Sequence, residues 1–135
     1  MIEAAVHGSA GMMAGLLDKM GQGGAARVRL YSGARPAISD PPATALIAVV
    51  YLDEPAGEII DGELVLTPGI ESTVLLGTAP TWARVFDGNE NQLFDCDARL
   101  SSAADTGQEL VVAAPSGFYA GALLQIQSGT FSALP

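Results

Sequence analysis

Residues 82–97, WARVFDGNENQLFDCD, restrict what this chain can fold into more than any other stretch. Side chains of an extended strand point alternately to opposite faces. On that rule Trp82, Arg84 and Phe86 share one face of a first strand, and Ala83 and Val85 share the other. In a second strand Phe94, Cys96 and Ala98 lie on one face, with Leu93, Asp95 and Asp97 opposite. Asp87-Gly88-Asn89 between them supplies residues that tolerate the left-handed backbone of a turn. The pattern predicts one face that buries large aromatics and another that carries carboxylates. Trp82, Phe86, Phe94 and Cys96 are the expected core residues, and the pair of strands is half of a β-sandwich.

Further strands follow from the same reading. Residues 27–31 alternate polar and apolar side chains, as a half-buried strand does. Residues 44–52, TALIAVVYL, are continuously apolar, which predicts a central strand covered on both faces. Two apolar runs, 58–60 and 63–66, flank Asp61-Gly62, a pair that favours a two-residue hairpin turn with positive φ at both positions. Strands are also expected at 72–76, 108–114 and 122–127, with a short run at 130–134. Pro36, Pro41 and Pro42 mark an extended loop, and 99–107 reads as a polar one. Eight or nine short strands with frequent turn signals predict a mainly β chain, an antiparallel β-sandwich or jelly roll, behind a short N-terminal helix.

That helix is expected within residues 2–20. Ile2, Val6, Met13, Leu16, Leu17 and Met20 fall on one apolar stripe at helical spacing. Gly8, Gly11 and Gly15 each weaken it by about 1 kcal/mol relative to alanine, so it needs a surface to pack on. The surface is either its own sheet, which the helix would cover, or a neighbouring subunit, on which it would dock as an arm. Gly21-Gln22-Gly23-Gly24 reads as a flexible link. The expected division is residues 1–24 as helix and link and 25–135 as a β-sandwich domain.

Charge and cysteine usage limit the partners. The 135 residues are 49% hydrophobic and 16% charged, enough for one folded core, and the net charge is −9. No Lys or Arg lies between Arg35 and Arg84, a span holding seven acids, and none follows Arg99. Nucleic-acid binding needs clustered cations, so it is not expected, and an anionic membrane surface is disfavoured for the same reason. No run approaches the ~20 apolar residues of a membrane span, and the N-terminus lacks the basic start of a secretion signal. Cys96 is the only cysteine, so it forms no internal disulfide and reads as a buried free thiol.

Few residues suggest reaction chemistry. His7 is the sole histidine and belongs to no catalytic motif, and a zinc site needs more His or Cys than the chain holds. Asp87, Asn89 and Asn91 match the first donors of a calcium loop, but Gln92 and Ala98 stand where its glycine and bidentate glutamate belong. A solvated turn is expected instead. Asp95 and Asp97 share a strand face, as a glycosidase pair or any solvent face would. No catalytic residue, cofactor or metal is expected. Arg27, Arg29, Arg84 and Arg99 lie in or beside strands, where each can pair with a carboxylate on a neighbour. At a subunit contact, arginine sets register through bidentate bonds, so Arg27, Arg29 and Arg84 join the helix stripe as candidate subunit contacts. Tyr31, Tyr51, Phe118 and Tyr119 are the few aromatics that could serve a polysaccharide-binding surface.

Several segments together resemble a family of small structural proteins of tailed bacteriophages and prophages. They are AGMMAGLLDKMGQGG at 10–24, RVRLYSGARPA at 27–37, ALIAVV at 45–50, GTAPTWARVFDGNENQLFD at 77–95 and GALLQIQSGTF at 121–131. The acidic middle, residues 53–73, departs most from the pattern. The resemblance implies a virion component assembled in the bacterial cytoplasm, without catalytic residues. It would work as a homo-oligomer that binds other virion proteins. The major capsid protein is one such partner, with the chain as head decoration; tail-tip or baseplate proteins are the other. It carries over no cofactor.

Overall fold

The computed structural model describes residues 3–4, 12–38 and 40–131. Among the described residues one helix, α1 (Met12–Met20), accompanies ten strands. These are β1 (Glu3–Ala4), β2 (Arg27–Tyr31), β3 (Ala48–Tyr51), β4 (Gly57–Ile60), β5 (Glu63–Leu66), β6 (Glu71–Thr73), β7 (Trp82–Phe86), β8 (Gln92–Leu100), β9 (Leu110–Ala113) and β10 (Leu123–Phe131). The chain is mainly β, with a single curled sheet in the order β3-β2-β7-β8-β9-β10-β5-β4; β1 pairs with β8 and β6 with β10 off that path. This is the sandwich-like architecture expected, but the helix is confined to Met12–Met20: Glu3–Ala4, within the segment read as helical, is a strand that pairs with β8. Every pair is antiparallel except β8 and β9, which run parallel from Ala98↔Leu110 to Leu100↔Val112.

Two nine-residue strands do the curling. β8 pairs with β7 and β1 along its first part and with β9 at its end. β10 passes from β6 and β9 to β5 in the same way. The curl then closes. Beyond β6, the N–H groups of Leu75 and Leu76 donate to the carbonyl of Ile47 at 2.8 and 3.3 Å, and the Ser72 hydroxyl donates to that of Val49. Inside lie Val28, Leu30, Ile47, Val50, Leu64, Val85, Phe94, Cys96, Leu110, Val112, Leu124, Ile126 and Phe131, all fully buried. Phe94 and Phe131 meet edge to face, with ring centroids 4.9 Å apart.

The hairpin of β4 and β5 forms as its sequence requires, with Asp61 at φ 50° and Gly62 at φ 80°. β10 joins two segments that read separately. A bulge between Ile126 and Ser128 moves the buried positions from Leu124 and Ile126 to Gly129 and Phe131, one residue out of phase.

Four expectations need correction. The apolar run 44–52 is not a strand covered on both faces: only Ala48–Tyr51 is strand, its burial alternates, and Tyr51 is exposed. Residues 72–76 form a strand only to Thr73, because Leu75 and Leu76 turn to the edge of β3 and stay exposed. The link at 21–24 is fitted against the turn after β7: the Gly88 N–H donates to the Gln22 carbonyl at 2.9 Å. A Cβ on Gly88 would stand 2.3 Å from the carbonyl of Gly23, so only glycine allows the approach.

The fourth concerns the faces of β7 and β8. The register pairs Trp82 with Asp97 and Arg84 with Asp95, so the tryptophan shares a face with the carboxylates. Ala83 and Val85 share the inner face with Cys96 and Phe94. Both faces of this pair are nonetheless buried, since the loop after β2 folds over the outer one.

Candidate functional site

The outer face of β2, β7 and β8 is a second, polar core. Tyr31 and Trp82 stack there, with centroids 4.7 Å apart and planes at 21°. Beside them Arg84 donates from Nε to Asp95 Oδ1 at 2.8 Å and from Nη2 to Asp95 Oδ2 at 2.9 Å. The pair is bidentate, with the aspartate fully buried and the arginine nearly so. Arg84 Nη1 also donates to the Asp40 carbonyl at 2.7 Å, and the Gln92 amide donates to that of Ile38. Trp82 Nε1 donates to the Ser32 carbonyl at 3.2 Å. The proline-bearing loop is thus held down by side chains of the sheet beneath it. Hydrogen bonding to Asp95 holds the Arg84 guanidinium above its ordinary pKa, against the opposing effect of burial.

Arg84 is therefore no subunit contact. Its fork is spent inside the fold, and Asp95 is sealed from any substrate, which leaves no carboxylate pair with Asp97. Arg27 and Arg29 are half-buried, and both pair with Glu90, while their guanidinium groups lie over the rings of Tyr51 and Phe86 at 5.0 and 4.5 Å. The turn they hold is self-satisfied. Asp87 Oδ1 accepts from the N–H groups of Asn89 and Asn91 at 2.8 and 2.9 Å, and Oδ2 from the Asn91 amide. Burial pushes its carboxyl pKa up, but these hydrogen bonds, those from Asn91 first, hold it below the ordinary value.

Of the helix stripe, Leu16 and Met20 belong to the hydrophobic core and Leu17 packs at its edge. One helical turn separates Leu16 from Met20, and α1 lies against β4, β5 and β8. This half of the segment covers its own sheet and is not a docking arm. Ile2, Val6, His7 and the side chain of Met13 lie outside the described residues. Trp82, Phe94 and Cys96 are buried as expected, and Phe86 is half-buried under Arg29. Burial pushes the Cys96 thiol well above its ordinary pKa. Of the four aromatics considered for sugar binding, Tyr31 is buried beneath Trp82 and Phe118 packs against the core, leaving Tyr51 and Tyr119 at the surface.

What remains exposed and apolar was not evident from sequence. Segments 73–77 and 119–123 run side by side: Val74 and Ala122 bond at 2.9 Å, Gly121 and Val74 at 2.7 Å, and Leu123 pairs with Thr73. Leu75, Leu76, Tyr119 and Leu123 sit on these segments and are 39–57% exposed. A strand reading of 72–76 would have buried one of Leu75 and Leu76. Among the described residues no three His, Cys, Asp or Glu side chains gather as metal ligands, and no helix is long and apolar enough to cross a membrane. No protein-family model matches the chain, and neither a curated protein nor a solved structure resembles it.

Proposed function

We propose that the protein is a non-enzymatic structural subunit of a tailed-bacteriophage virion, working as a homo-oligomer that binds other virion proteins and needs no cofactor. The observation that carries this reading is the exposed apolar group Leu75, Leu76, Tyr119 and Leu123 on two neighbouring segments beside β6 and β10. Several large apolar side chains left exposed on neighbouring segments mark a protein contact. The arginines and buried carboxylates, by contrast, are taken up in holding loops to the sheet. The segment resemblance supplies the setting. Head decoration, on the major capsid protein, is preferred for a compact acidic domain. The alternative is a place at the tail tip or baseplate.

The test uses particles made from the genome that encodes this chain. Mass spectrometry should find the chain among their proteins, and labelled electron microscopy should place it at repeated positions on the head. Label at the tail end would select the alternative. Absence from particles would overturn the reading. Exchanging Leu75 or Leu123 for glutamate should lower incorporation while leaving the folded β domain intact by circular dichroism.

A further inference from the structure

The hairpin of β4 and β5 offers a different kind of contact. β4 is the last strand at its end of the sheet and has no strand partner other than β5 among the described residues. Across a two-residue turn the closing pair, Ile60 and Glu63, bond each other, and inward bonding then alternates along the strand. The N–H and C=O groups of Ile59 therefore point away from β5, whereas Gly57, at the start of the strand, is buried. Glu58, Ile59 and Ile60 are all exposed, the isoleucines at 37 and 45%. Sheets ordinarily blunt such an edge with lysine, proline or a covering loop. None of these stands on β4 itself.

Charge decides what fits the edge. Glu54, Glu58 and Asp61 crowd it, and Arg27, Arg29, Arg35, Arg84 and Arg99 are all paired with carboxylates elsewhere. Two open clefts of about 520 and 430 Å³ meet at Pro55, with Asp18 and Glu54 on one side and Glu58, Val65 and Thr67 on the other. A second copy of this chain would bring its own Glu58 and Asp61 against the first and be repelled.

We propose that β4 is a docking edge for an extended, lysine- or arginine-bearing segment of another protein, which joins the sheet as an added strand. Main-chain bonds to Ile59 would hold it, apolar side chains would cover Ile59 and Ile60, and its cations would face Glu54, Glu58 and Asp18. The inference deepens the virion reading and rests on it for the source of the segment, a neighbouring particle subunit.

The test is a titration of the full chain with a synthetic peptide of alternating lysine and valine, followed by fluorescence anisotropy, with a glutamate–valine peptide as control. The lysine peptide should bind, more weakly as salt rises, and the control should not. Ile59→Lys and Glu58→Lys, both on exposed side chains, should each weaken binding on the order of tenfold. Asp105→Lys, the same charge change in the 101–109 loop, should leave it unaltered. Equal binding by all three variants, no binding at low salt, or self-association lost on Ile59→Lys would overturn the docking edge. The two failures are distinct. A chain absent from particles that still binds the peptide sinks only the particle assignment. A chain present in particles that ignores the peptide sinks the edge.

Discussion

At the scale of single residues, the Arg84–Asp95 pair shows how burial changes what a charged side chain is for. In water a bidentate pair contributes roughly 0–1 kcal/mol, whereas here each partner depends on the other for its solvation. Asp95→Ala strands a buried guanidinium and should cost about 3–5 kcal/mol in urea unfolding. Joint replacement of Arg84 by Met and Asp95 by Leu should cost far less than the sum of the single changes. Asp87 carries the pH dependence. Its folded-state pKa lies below the ordinary 3.8, so its contribution is complete above that value and is lost as pH falls through it toward the folded pKa. The stability difference between the native protein and Asp87→Ala should therefore shrink on acidification from pH 7, and a difference that grows would contradict the assignment. Neither role shows in composition: Asp95 and Asp97 are equivalent in sequence, yet one is sealed and the other exposed.

At the scale of elements, the local signals worked where the element settles its own geometry. Asp61-Gly62 specified its hairpin because a primed turn needs positive φ twice. The glycines of 21–24 read less well as a flexible link, since that segment is fitted against the turn after β7. Gly15 is exposed on α1 with nothing near its missing Cβ, so Gly15→Ala should stabilise the fold by about 1 kcal/mol. Gly88→Ala should destabilise it by about 1–3 kcal/mol, since the new methyl must displace Gly23. Thermal unfolding of the two variants checks both signs. The pattern of β10 was broken by its bulge, which inserts one residue and reverses which side chains face inward. A period-2 reading taken through that point splits one strand into two.

At the scale of the whole molecule, Cys96 reports on the closed sheet. It lies fully buried on β8, opposite Ala83 of β7, with its thiol pKa raised by burial. A thiol reagent should label it only after global unfolding, at a rate that follows denaturant as the unfolding transition does; rapid labelling in native buffer would place an opening near β8. The β class, the hairpin, the proline loop and the single helix were legible in the order of residues, because period and turn chemistry are local. The parallel pairing of β8 with β9, the closure of β3 on 72–76 and the exposed group at 75–76, 119 and 123 were not. They depend on which distant strands meet, and that is set by packing one apolar core of fixed volume. The sequence by itself determined that this chain would be a layered β protein with an acidic middle. Only the tertiary structure decided that Trp82 would lie with Arg84 and Asp95 under a loop. The parity of a turn and one bulge choose a strand's facing partner, and no pattern within the strand records that choice.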